Sequence, residues 1–229
     1  APSDDIPTLN ASSDKVSVYS YKDGYRMLSG FARVNYNYDY RYLFSVVARY
    51  DGISKLSDNR WGFFPGVSAG WNMHEEAFFK DSKLANVVSN LKPRVSYGVN
   101  GNVAGLGNYE VYGEYNTINN SSGIPIPYDG KVGFLNTKLV NNNLRWEKSN
   151  SFEVGLDVGF LQNRINLIMD YYNRTTSDLL TDLNLPGYTG FGSIRTNLGS
   201  LRNQGFEVEA KFNILTNQKG FSWDFSANA

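Results

Sequence analysis

The sequence of 229 residues has no cysteine, a single histidine and no surplus of charge, with 22 Lys and Arg against 22 Asp and Glu. Without thiols, a disulfide framework, a thiolate nucleophile and a cysteine-based zinc site are all excluded. His74 has no second imidazole to complete a usual metal set or catalytic triad. Beside Glu75 and Glu76 in an aperiodic stretch, it reads as a solvated residue on a turn. A chain with neither a basic surplus nor a basic stripe is not built primarily to hold nucleic acid. No run approaches the roughly 18 apolar residues of a membrane-spanning helix, and the mean hydropathy is negative. Residues 1–10 lack an initiator Met and the apolar core of a signal peptide, so a processed chain or a piece of a longer one is expected.

What the chain does have is a meter of two. In residues 150–160, Phe152, Val154, Leu156, Val158 and Phe160 share one face, and Ser151, Glu153, Gly155, Asp157 and Gly159 share the other. After the tight link Leu161-Gln162-Asn163, Ile165, Leu167, Met169 and Tyr171 alternate with Asn166, Ile168, Asp170 and Tyr172. A period of two is the signature of strands, and a short link between two such runs makes a hairpin. The 16 Tyr and 22 Gly add to a composition that favours strands and turns over helices. Because only every second residue of a membrane-barrel strand faces lipid, such a wall looks hydrophilic on average, and the failed helix test does not exclude it.

Eight segments carry this pattern: 28–38, 42–50, 63–72, 91–100, 150–160, 165–174, 206–214 and 221–227. With strands running up and down in turn, the short links near Asp39, Gln162 and Asn217 fall at one end. The long polar stretches 51–60, 101–145 and 175–201 fall at the other. Short turns on one side and long loops on the other mark an outer-membrane barrel, with the turns periplasmic and the loops extracellular. The exception is 73–90, a long link on the short side that breaks the period and reads as one or two helical turns. Aromatic residues cluster toward both strand ends, with Tyr38, Tyr40, Tyr42, Trp71 and Phe160 at one and Tyr50, Trp61, Phe63, Trp146 and Tyr171 at the other. Two girdles suit two bilayer interfaces. A soluble β-sandwich also alternates and would use these rings as core, but its strands usually run to about five or six residues. A secreted sandwich that binds carbohydrate through its loops therefore stands as the alternative.

The run 49–71, RYDGISKLSDNRWGFFPGVSAGW, resembles a signature of the SusC/RagA family of TonB-dependent outer-membrane transporters. So do LKPRVSYGVNGN at 91–102, LRWEKSNSFEVGLDVGFLQNRINLIMDYYNRTTSDLL at 144–180 and LPGYTGFGSIRTNLGSLRNQGFEVE at 185–209, in the family's order. Ile53, Leu56 and Pro93 depart from the family pattern at loop and strand entries. The resemblance implies an all-β fold, an antiparallel transmembrane β-barrel of about 22 strands holding a plug. This chain would supply about eight of those strands and be a partial barrel domain over 1–229, without the plug or the TonB-contacting segment. It further implies a nutrient importer of oligosaccharides or peptides, located in the cell outer membrane, whose partners are a SusD-like surface lipoprotein, the TonB complex and lipid. No cofactor, metal or catalytic residue is implied.

The residues agree that no bond-breaking site is present. Gly98, Gly101, Gly105 and Gly107 are not followed by a Gly-Lys-Ser/Thr element, so they make a flexible loop and not a phosphate cradle. Glu153, Asp157, Asp170, Glu207, Glu209 and Asp224 share the polar face with Arg33, Arg41, Arg49, Arg94, Arg164 and Lys211, as acids and bases facing water inside a wide barrel do. The candidate ligand contacts are Tyr109, Tyr112 and Tyr115 in the long external loop, every third residue among Asn and Gly. Aromatic faces beside amide groups suit sugars or peptides. Packing within the loop, or contact with the lid lipoprotein, would use the same rings. The sequon-like Asn119-Asn120-Ser121-Ser122 is set aside, given the bacterial family resemblance.

Overall fold

The alternating segments pair with one another in chain order. A computed structural model describes residues 22–118, 126–129, 131–218 and 220–229; the stretch 1–10 and the sequon-like stretch at 119–122 lie outside the described residues. The strands are β1 (Met27–Tyr38), β2 (Tyr42–Ile53), β3 (Trp61–Trp71), β4 (Val88–Asn102), β5 (Glu114–Thr117), β6 (Pro127–Tyr128) and β7 (Lys131–Val132). They continue with β8 (Phe134–Lys138), β9 (Glu147–Phe160), β10 (Ile165–Ser177), β11 (Leu180–Asn184), β12 (Ser193–Asn197), β13 (Ser200–Gln218) and β14 (Phe221–Asn228). Eight of them form one antiparallel sheet in the order β1-β2-β3-β4-β9-β10-β13-β14. These are the eight segments read from the sequence, most of them a few residues longer at the loop end. The other six pair as three small sheets inside the long connections, which sequence reading treated as plain loop.

The tight turns are where expected, and their chemistry explains them. Tyr38 pairs with Tyr42 in register, and of the three residues between, Asp39 and Tyr40 have positive φ, 51° and 54°. Two successive residues of positive φ, closed by the Arg41 N–H on the Tyr38 carbonyl at 3.0 Å, match the strand twist. Neither residue is Gly, and the Asp39 carboxylate is tied to the Arg41 guanidinium. The second hairpin pairs Phe160 with Ile165, and Leu161, Gln162 and Asn163 all take positive φ. The third turn lies slightly beyond Asn217, because β13 runs on to Gln218 through two register shifts before Gly220, at φ 85°, lets the chain reverse. The exceptional link holds a turn at Met73–Glu75, the helix α1 (Ala77–Lys80) and a further turn at Lys83–Asn86, in line with the helical turns expected there.

The two faces of the sheet differ as the alternation demands. Val46, Val67, Val95, Val154 and Val208 lie on one face and remain exposed, Val46 to 52% and Val154 to 44%. The apolar cluster of the described residues is on the opposite side, at the long-loop end: Ile53, Leu56, Phe64, Val103, Leu106, Val111, Leu144 and Trp146. Phe64 and Trp146 meet edge to face at 5.3 Å. A sandwich would bury the valine face under a second sheet, and none of the small sheets pairs with it.

Two girdle assignments need correction. Trp146 is buried in that cluster, donating its indole N–H to the Arg60 carbonyl at 3.1 Å. Tyr171 sits at mid-strand opposite Val154 and Phe206, its ring 4.9 Å from that of Phe206. Of the remaining rings, Tyr50 stacks on Trp61 at 5.1 Å and Tyr42 on Trp71 at 6.2 Å, both pairs near strand ends.

Candidate functional site

The polar face carries a chain of ion pairs across three strands and a separate pair on a fourth. Arg94 on β4 reaches Asp157 on β9 at 2.9 Å and Asp170 on β10 at 2.7 Å. Gly155 is the register partner of both Arg94 and Asp170, so the guanidinium crosses the sheet where a Cβ at 155 would meet it at 2.5 Å. Lys92 stands 4.0 Å from Asp157, and on β13 Lys211 pairs with Glu209 at 2.8 Å. Asp157 and Asp170 are therefore clamped by one cation and are not a free acid pair of the kind that hydrolyses a glycoside. The arrangement makes a charge-balanced polar face.

At the other end of the strands, the long connections are knitted together. Arg195 pairs with Asp182 at 2.9 Å and donates to the Gly105 carbonyl, joining the β11–β12 hairpin to the loop after β4. Lys55 donates to the Leu106 carbonyl at 3.0 Å, and Asn59 to that of Asn143 at 3.2 Å. Glu147 accepts from the Leu180 N–H at 2.8 Å and from Asn102 at 2.6 Å. Arg145 sits 2.7 Å from Asp178 and holds that carboxyl below the usual carboxylate range, against the opposing effect of burial. Arg195 and Glu147 were not singled out from sequence, since nothing local marks a charged residue whose partners lie in other loops.

Tyr109, Tyr112 and Tyr115 project from this knitted body. Tyr109 precedes and Tyr112 ends a short turn over Glu110–Tyr112, closed by the Tyr112 N–H on the Tyr109 carbonyl at 3.0 Å, and Tyr115 lies in β5. Between them Val111 is buried in the cluster, and Glu110 is pinned by Lys138 at 3.0 Å and by the Gly107 N–H at 2.9 Å. The backbone is thus held while the three rings stay 52%, 64% and 67% exposed. Among the described residues they stack on no other ring.

The short-turn end has its own cluster, which sequence reading missed. Glu76, 8% exposed, accepts from the Trp71 indole at 3.0 Å and from Arg41 at 3.2 Å. The indole donor, then the Tyr42 hydroxyl and then Arg41 hold its carboxyl below the usual range, though burial pulls the other way. His74 is not the solvated residue expected: its Nδ1 accepts from the Leu91 N–H at 3.3 Å, and the side chain is 23% exposed. It fills the place of a strand partner where β3 leaves β4, whose pairing stops at Gly70 and Arg94.

Comparison with known proteins agrees with this architecture. The family model described as TonB dependent receptor-like, beta-barrel, matches residues 1–229. The chain is 41% identical over 207 residues to the TonB-dependent receptor SusC of Bacteroides thetaiotaomicron, covering 88% of this chain and 20% of that protein. It is 38% identical over 211 residues to TonB-dependent receptor P3 of Formosa agariphila, covering 91% and 20%. The solved RagAB peptide importer in its open-open state superposes with a TM-score of 0.77 at 30% identity, over 99% of this chain and 24% of that one. The siderophore receptor PirA of Pseudomonas aeruginosa, at 14% identity and a TM-score of 0.52, shares the fold alone. The chain spans about a fifth of the length of the curated relatives it matches.

Proposed function

From the premise that this chain belongs to the TonB-dependent receptor family, in its SusC/RagA branch, we propose that it forms part of the wall of a closed outer-membrane barrel of about 22 strands that imports nutrients. The observation that carries this reading is the contrast between the two faces of the sheet. Large apolar residues are exposed along one, while the other holds the Arg94, Asp157 and Asp170 clamp. Such a sheet is stable with lipid on its apolar side and water on its polar side. The strands β1 and β14 border the sheet, and edges of this kind call for further strands.

In the whole protein a plug would fill the lumen and receive the pull of TonB, and a SusD-like lipoprotein would close the external mouth. Cargo would be peptides or oligosaccharides; peptides have the support of the RagAB importer likeness. Tyr109, Tyr112 and Tyr115 would meet the cargo or the lid, their backbone already held by Val111 and Glu110. The segment itself contributes wall, lining and outer loop, with no covalent chemistry and no cofactor.

The test is purification of the native gene product from membranes in detergent, with its intact mass and co-purifying species measured. A mass several times 25.7 kDa with a lipoprotein attached is the expected result. Alanine at all three tyrosines should then reduce the lipoprotein or cargo retained. A detergent-independent protein of 25.7 kDa without partners would overturn the proposal in favour of a soluble binding module.

A further inference from the structure

Segment 72–87 joins β3 to β4 at the end of the sheet where the three other links are short hairpin turns. It is folded and fastened. Asn72 donates to the Tyr40 carbonyl at 2.6 Å, Glu76 is held by Trp71 and Arg41, and the Leu161 N–H reaches the Val87 carbonyl at 2.9 Å. Within α1, Phe79 is 5% exposed and its neighbour Phe78 59%, since successive residues on a helix project about 100° apart. Phe78 leans on Trp71 with ring centroids 6.3 Å apart, Trp71 stacks on Tyr42, and Tyr42 stands 6.3 Å from Tyr38. Tyr38, Tyr42 and Trp71 all have the parity of the exposed valines. A file of rings therefore runs along the rim of the apolar face and passes without a break from the wall onto the link. Leu84 and Val87 farther along are also exposed, at 62% and 52%, beside the exposed charges of Lys80, Asp81 and Lys83.

We infer that segment 73–87 is an in-plane membrane anchor at the short-turn side, with Phe78, Leu84 and Val87 seated at the boundary between lipid headgroups and acyl chains. The occupant is lipid because the apolar surface of the link is continuous with the wall's lipid-facing surface, through rings in contact. An interfacial segment of this kind puts apolar side chains roughly 5–10 Å into the boundary and leaves its charges at headgroup level. The Glu76 cluster sets the tilt of the segment, turning Phe79 in and Phe78 out. The inference rests on the membrane-wall reading above.

Nitroxide labels placed one at a time at Phe78→Cys, Leu84→Cys, Val154→Cys and Asp58→Cys, in the full-length protein reconstituted in lipid vesicles, test it. The readout is collision with oxygen, which concentrates in lipid, against a water-soluble nickel chelate. Labels at 78 and 84 should shift toward oxygen relative to 58, at a depth shallower than 154. If 78 and 84 match the water-exposed label at 58 while 154 remains in lipid, the anchor is overturned and the wall stands. If 154 is also in water, the membrane reading itself falls. If 78 and 84 are shielded from both reagents, protein and not lipid covers the segment, and the inference is again overturned.

Discussion

Glu76 shows how one side chain organises a turn. Its carboxylate gathers the Trp71 indole from the end of β3 and the neighbouring Arg41 guanidinium and Tyr42 hydroxyl from the start of β2. Because its pKa is lowered in the folded state from the ordinary 4.5, its contribution is fully present above 4.5 and fades as pH falls through the lower folded value. Amides of 72–87 should therefore lose protection against hydrogen exchange, measured relative to the unstructured rate at each pH, below about pH 4.5, and Glu76→Gln should remove that pH dependence. Protection that is unchanged on acidification would show that the carboxylate does not hold the link. Little of this cluster was legible in the sequence. His74 stood out there only by being the sole histidine, and its role depends on where β3 parts from β4. The departures Ile53 and Leu56 are likewise explained by burial, at 4% and 0% exposure, in a cluster that no local pattern announces.

At the scale of the element, the strand β9 carries the sharpest consequence of alternation. Val154 and Glu153 are neighbours in the chain yet lie on opposite faces of the sheet, which in the proposed barrel meet lipid and lumen. Val154 pairs with Val95 and Tyr171 near mid-strand, so Val154→Arg should destabilise the barrel by about 2–4 kcal/mol in urea unfolding from lipid vesicles. Glu153→Gln should stay within about 0.5 kcal/mol of the parent, as surface changes usually do. Equal costs for the two would contradict the assignment of faces. This alternation is legible from sequence because the pleat itself imposes the period of two, with no reference to the rest of the fold. The small sheets β5–β8, β6–β7 and β11–β12 were missed because strands of two to five residues give too few repeats to set a period.

For the whole molecule, the eight-stranded sheet has β1 and β14 at its borders, and a bordering strand is a template for further pairing. Residues 1–229 expressed alone in detergent should therefore associate through these strands, giving by light scattering masses well above 25.7 kDa. A well-behaved monomer would argue against the need for neighbouring strands. The strand count of the main sheet, the in-order pairing, the apolar and polar faces and the family can all be read from the chain alone. All of these follow from local periodicity, link length and runs of motif. Tertiary packing sorts the rings between strand ends and core. It sent Trp146 inward to a carbonyl 86 residues away, placed Tyr171 at mid-strand, clamped Asp157 and Asp170 with Arg94, and knitted the outer loops around Glu147 and Arg195. These contacts join residues far apart in the chain, and such a contact exists only after the sheet has brought its strands side by side.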